Sequence, residues 1–273
     1  MDYIPPRILF SIGDINIYYW GLFIAIAFAV VMILVAREAK KKGIKSDIIL
    51  NIGLLALIGA IVGSRLLFVL ENLNYFSSNW LLFFNFADGG LTSYGGIALA
   101  VILIAFYVKI KKLDFWKLAD FIAPYMFLGF AIGRIGCFLN GCCYGHPTEI
   151  FSNLGINFIF PLSGDNLARH PTQLYLILAD LLIFGFLLLI RKLKEKGKTK
   201  CRASKVDGFI FLFGLLLFSI MRFFMDFLRE YDVYIGQLSR SQIFASAIFI
   251  ISLLLLIIKR DKNEISNNNK FNN

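Results

Sequence analysis

Charge is scarce in this chain. Asp, Glu, Lys and Arg make up 17% of its 273 residues, where soluble globular proteins carry about 25%. Hydrophobic residues reach 58%, against roughly 45–50% in soluble domains, and mean hydropathy is +0.72. The 29 Phe are more than a single aqueous core could bury. This shortage of charge excludes an ordinary soluble domain and points to a polytopic membrane protein. A basic leader feeding an apolar run is missing from the opening MDYIPPRILFSIGD. No cleavable signal peptide is therefore expected, and the first span is read as a permanent anchor.

A bilayer core takes about 20 apolar residues per helix. Seven stretches qualify, at 17–36, 48–70, 94–110, 118–139, 173–190, 208–228 and 241–258. The expected fold is all-α: one transmembrane domain over residues 1–258, with outer segments at 71–93 and 140–172. Residues 259–273 form a polar cytoplasmic tail, expected to be disordered. The net charge of +10 raises the question of nucleic acid, but its distribution argues against it. Four clusters, Arg37–Lys45, Lys109–Lys117, Arg191–Lys205 and Lys259–Lys270, hold 21 of the 28 basic residues. They follow spans one, three, five and seven, all on one side. Positive charge marks the cytoplasmic face, which places the N-terminus outside and the C-terminus inside.

Lysine is absent from the other side. The seven remaining basic residues are Arg7, Arg65, Arg134, Arg169, Arg222, Arg229 and Arg240. Arginine suits planar, bidentate capture of phosphate or carboxylate in a partly desolvated place, so an anion is expected to be handled in the outer half. Arg65, Arg134 and Arg222 each lie five or six residues inside the outer end of a span, about 7–10 Å deep. That common depth favours a shared polar cavity over three separate headgroup contacts, since intramembrane charge is expensive. On the sixth span Arg222, Asp226, Arg229 and Glu230 follow helical spacing along one stripe. Gly59 and Gly63, and Gly129 and Gly133, have the four-residue spacing of close helix packing.

The outer segments have their own signals. WLLFFNF at 80–86 is aromatic but too short to span, and reads as an interfacial arm. The loop at 140–172 is longer than a connection requires, and a small outer cap is expected. Near its start lie Cys137, Cys142, Cys143 and His146, with His170 at its far end. These lack the paired spacing of zinc sites, and adjacent cysteines seldom ligate one tetrahedral ion comfortably, so no metal is expected. A disulfide from Cys137 to Cys142 or Cys143 is one reading, and small apolar packing is the other. Cys201, on a cytoplasmic loop, is expected to be free. Asp180, mid-span, reads as an ion path or as the partner of an internal charge.

Several motifs together resemble one family. Gly133-Arg134-Ile135-Gly136 with Asn140-Gly141 and Gly145, Arg169-His170-Pro171-Thr172-Gln173-Leu174-Tyr175, and Arg222 through Asp226 to Arg229-Glu230 resemble the prolipoprotein diacylglyceryl transferases. Tyr19-Trp20-Gly21-Leu22, Arg65, Gly89-Gly90, Tyr94-Gly95-Gly96, Gly236-Gln237 and Ser241-Gln242 match in order, so the resemblance covers nearly the whole chain. It implies a bacterial cytoplasmic (inner) membrane enzyme with its active site toward the outer side. Such an enzyme moves diacylglycerol from phosphatidylglycerol to the thiol of a lipobox cysteine in lipoprotein precursors, releasing glycerol phosphate, with no cofactor. The resemblance implies catalytic roles for Arg134, Arg222, Asp226, Tyr94 and His170, and phospholipid binding by Arg65, Arg134, Asn140, Arg222, Arg229 and Glu230.

Departures from the family pattern fall on the acid–base set. Tyr94 stands where a His is usual, Cys137 for an Asn, Cys142 for a Glu, Asp226 for a Glu and Phe218 for a Tyr. A phenol is a poor base at neutral pH, which would pass proton transfer to Asp226, Glu230 or His170. Alternative readings are a related phospholipid transferase with another acceptor, and a non-enzymatic lipid binder or transporter.

Overall fold

A computed structural model describes residues 2–13, 15–77, 83, 92–197, 206–229 and 234–271. Among the described residues, six helices are long and apolar enough to cross a membrane: α1 (Tyr19–Lys41), α2 (Ser46–Glu71), α5 (Phe115–Asn140), α6 (Thr172–Glu195), α7 (Phe209–Met225, continued as a 3-10 turn to Leu228) and α8 (Arg240–Phe271). A seventh, α4 (Ser93–Ile110), is apolar but shorter, and α3 (Leu73–Phe76) is a single turn. The chain is an all-helical polytopic membrane protein. Large apolar side chains such as Phe106, Leu182 and Ile97 point outward, as lipid in place of water permits.

Small β elements join the helices, beyond what the hydropathy pattern suggests. β1 (Asp2–Tyr3) pairs in parallel with β4 (Asn157–Phe158). β2 (Ile8–Ile12) and β3 (Ile15–Tyr18) form a hairpin, as do β5 (Tyr234–Ile235) and β6 (Leu238–Ser239). At the other end α8 runs on to Phe271, helical where disorder of the polar tail is expected. Extending a formed helix by one residue costs far less than nucleating one.

The helices divide between two compact units. One comprises Met32–Leu118 and holds α2 and α4. Their crossing is set by glycine: an added Cβ on Gly63 would strike the Gly95 carbonyl, and one on Gly95 would strike that of Gly63. The other unit, Met1–Val31 with Ala119–Asn273, holds α5 to α8. Its core is largely phenylalanine: Phe127, with Ala123, Ile183, Leu187 and Ile210, packs against Phe184, Phe209, Phe213 and Phe218.

Two caps fix helix ends in this second unit. Asp120 of α5 accepts from the backbone N–H of Gly208 and Phe211, both at 2.9 Å, and so caps α7 from a neighbouring helix. Lys194 of α6 lies 3.5 Å from the same carboxylate. At α8, Ser239 Oγ accepts from the Gln242 N–H at 3.1 Å while Gln242 Oε1 accepts from the Ser239 N–H at 2.9 Å, a reciprocal capping box. Asp120→Ala leaves two buried donors and a lysine without their acceptor. A loss of about 2 kcal/mol is expected, read as a lower thermal midpoint in detergent, with the outer-end geometry unchanged.

Candidate active site

The helix α5 carries Arg134 six residues before its end. Arg134 interacts electrostatically with Cys137, Cys143 and, across the bundle, Asp180 of α6. Asp180 is fully buried and interacts with both Arg134 and Arg222. Its Oδ1 has no hydrogen-bond partner among the described residues. Two arginines from different helices thus act electrostatically on one carboxylate. Sequence reading names both arginines but leaves Asp180 outside the site; its only signal is an acid in the middle of an apolar span.

Arg222 is held from a third side. Its Nε donates to Ser241 Oγ at 2.8 Å and lies 3.4 Å from Asp226 Oδ1. Asp226 is buried and accepts from Ser239 Oγ at 3.2 Å, which ties the arginine to the capping box of α8. Asp226 is therefore a counterion built into the helix end. The expected helical stripe breaks here. α7 ends at Met225, a 3-10 turn follows, and Arg229 is extended, bridging to Gly145 in the outer loop. The tighter turn rotates Arg229 off the Arg222 line. Glu230 lies outside the described residues.

The outer loop folds as a cap, as its length suggests. Gly145 N–H donates to the His170 carbonyl at 2.9 Å, and His146 N–H to that of Leu228 at 2.9 Å. A side chain at Gly145 would strike the Leu228 carbonyl, so glycine permits this three-way junction. Arg169 is buried and structural: Nη2 is 2.7 Å from Asp165 Oδ2, Nη1 donates to the Gly145 carbonyl, and the guanidinium stacks over Tyr144. That arginine holds the Asp165 carboxyl down to about 2, with help from Ser163. His170 Nδ1 is 3.1 Å from the Tyr175 hydroxyl. Burial, and then His146, lower its pKa, which favours the neutral ring.

Thr172 and Gln173, both fully buried, grip the cysteine turn. Thr172 Oγ1 donates to the Cys143 carbonyl at 2.5 Å and Gln173 Nε2 to that of Cys142 at 2.6 Å. Cys143 has a left-handed backbone (φ 65°), a conformation that costs a non-glycine residue about 1 kcal/mol or more. Asn140, at the end of α5, reaches the Cys142 thiol with its side chain. Cys137, Cys142 and Cys143 are free thiols, and no disulfide joins them. Their three Sγ atoms lie within 4.8 Å of one another. Hydrogen bonds from the other two thiols, then the charges of Arg229 and Arg134, lower the pKa of Cys143. Cys201 lies outside the described residues.

Residues 7–258 match the prolipoprotein diacylglyceryl transferase family. The chain belongs to that family. Relatives of similar length agree. A phosphatidylglycerol–prolipoprotein diacylglyceryl transferase of Finegoldia magna is 37% identical over 251 residues, covering 92% of this chain and 94% of its own. One from Clostridioides difficile is 33% identical, over 95% and 98%. One from Clostridium tetani is 31% identical, over 93% and 97%.

Within this transferase, the remaining expected site residues belong to the other unit. Arg65 is buried, donates from Nε to the Phe83 carbonyl at 2.9 Å, and lies over the rings of Phe68 and Phe76. Tyr94, near the start of α4, is 42% exposed. Of the aromatic arm at 80–86, only Phe83 is among the described residues, and Gly89-Gly90 lies outside them.

Proposed function

We infer that this protein transfers the diacylglyceryl group of phosphatidylglycerol to the thiol of a lipobox cysteine in lipoprotein precursors, releasing glycerol phosphate. The observation that carries the reading is that the charges of Arg134 and Arg222, on different helices, both act on buried Asp180, in a chain that aligns with such transferases along its length. In the reaction a thiolate attacks the terminal glyceryl carbon, a C–S bond forms, the C–O bond to phosphate breaks, and the electron pair leaves on the phosphate oxygen. Fixed positive charge is most useful where that negative charge develops. Arg134 and Arg222 supply it, and their bidentate forks match the three oxygens of the leaving group. Asp180 acts as a positioning residue. Its charge offsets the repulsion between two half-buried guanidiniums.

Orientation follows from charge. The basic ends of α1, α4 and α6 carry Lys40 and Lys41, Lys109, and Lys192 and Lys194. Their cytoplasmic placement puts the arginine pair and the cap toward the outside, where precursors emerge. Asn140 and Arg229, near the cysteine turn, border the headgroup path, with Glu230 just beyond. For Arg65 the proposed role is phospholipid binding, and for Tyr94 hydrogen bonding to phosphate. For His170, whose neutral ring burial favours, the proposed role is proton acceptor at the cap.

The test uses purified protein in detergent, phosphatidylglycerol and a lipobox peptide, following glycerol phosphate and peptide mass together. The expected result is a diacylglyceryl mass gain matched by glycerol phosphate. Headgroup release with an unmodified peptide would move the reading to another acceptor. Lipid binding with neither product would make it a binder.

A further inference from the structure

Cys137, Cys142 and Cys143 form a cluster that the arginine site does not use. Their sulfurs lie within 4.8 Å of one another, all as free thiols. Three thiolates on a tetrahedral zinc, at Zn–S distances of about 2.3 Å, stand about 3.8 Å apart. Contraction by about 1 Å at most converts one arrangement into the other, within reach of side-chain rotation. Neighbouring cysteines in extended backbone diverge, but the left-handed Cys143 turns its thiol back onto the same place as that of Cys142. Thr172 and Gln173 hold both carbonyls of that turn. Gln173 Oε1, beside it, is a buried acceptor with no donor among the described residues. Among those residues no fourth Cys, His, Asp or Glu completes the group. Three thiolates and a divalent cation carry one net negative charge, and Arg134 and Arg229 lie close enough to balance it.

We propose that these three cysteines bind one thiophilic divalent cation of the zinc class, whose open fourth position takes the acceptor thiol of the precursor. The proposal rests on the transferase reading above. Three protein ligands with one open position is the arrangement of a working zinc site, not a structural one. A thiol that coordinates such an ion gives up its proton, here to water, and the thiolate is the nucleophile the reaction needs. The bound sulfur then attacks the glyceryl carbon while the C–O electron pair departs on phosphate between Arg134 and Arg222. The product thioether is neutral and a weaker ligand, so it leaves the ion.

The experiment uses the full chain in detergent, stripped by a chelator and titrated with Co²⁺. One equivalent is expected to produce tetrahedral visible bands with thiolate-to-cobalt charge transfer. Both should be lost in Cys137→Ser and Cys142→Ser proteins that retain their helical circular dichroism. A lipobox peptide with Cys should change the bands and its Ser counterpart should not. Stripping should lower transfer by about a hundredfold or more, with Zn²⁺ restoring it. If the serine variants fail to fold, the wild-type titration and peptide pair decide alone. Absence of thiolate bands, or full transfer by metal-free protein, overturns the site and leaves the transferase reading intact. Bands indifferent to the Cys peptide overturn the acceptor role. Bands that respond to it, in protein making no lipidated peptide with or without Zn²⁺, support the thiol site and overturn the transferase reading.

Discussion

Arg134→Ala is expected to lower kcat for diacylglyceryl transfer by about a hundred- to a thousandfold, the scale for removing one preorganised donor from a developing oxyanion. Arg222→Ala should fall in the same range. The two losses should not add, because both guanidiniums act on one leaving phosphate around one carboxylate. Lysine at either position keeps the charge and loses the fork, so Arg134→Lys should recover only part of the rate. The measurement is steady-state transfer to a lipobox peptide, with circular dichroism and gel filtration confirming the fold. A double variant no slower than either single one would support the shared site. Wild-type rates in both single variants would refute it.

Asp180→Asn separates charge from shape. The amide fills the same volume, yet it no longer offsets two half-buried guanidiniums. Their separation should lower kcat by up to about a hundredfold, the effect of roughly 1 Å of misplacement. The same substitution raises the positive potential at the site, so the KM for phosphatidylglycerol should fall. A fall in kcat together with a fall in KM marks a positioning role, because a general loss of structure raises KM. Asp180→Ala should be less stable than Asp180→Asn, because it removes the packing and the polar group together. A kcat within a fewfold of wild type in Asp180→Asn would show that the arginines do not need this carboxylate.

The arginines were legible because charge in an apolar span is conspicuous, and because their distance from a span end can be counted. Asp180 was visible for the same reason, but its partners lie on other helices. Nothing in the spacing of α6 relates it to Arg134, 46 positions earlier in the chain. The stripe from Arg222 to Glu230 failed at Arg229 for a local reason. Helical periodicity assumes a continuing helix, and a 3-10 turn starts at Asp226, whose carboxylate accepts a hydrogen bond from Ser239, 13 residues on. Arg169 looked like an anion ligand by type, yet its carboxylate is Asp165, four residues away in the cap. The cysteines show the reverse. Their spacing argued against a common ligand, and the left-handed Cys143 with the grip of Thr172 and Gln173 draws three sulfurs together.

Hydropathy, charge distribution and the ordered motifs were enough to establish the membrane class, the helical spans, the family and therefore the reaction. These are properties of local composition, and the bilayer reads composition one segment at a time. Which side chains meet was settled only by the fold. The electrostatic coupling of Arg134, Asp180 and Arg222 joins segments distant along the chain, and the grip of Thr172 and Gln173 on the three-thiol turn does the same.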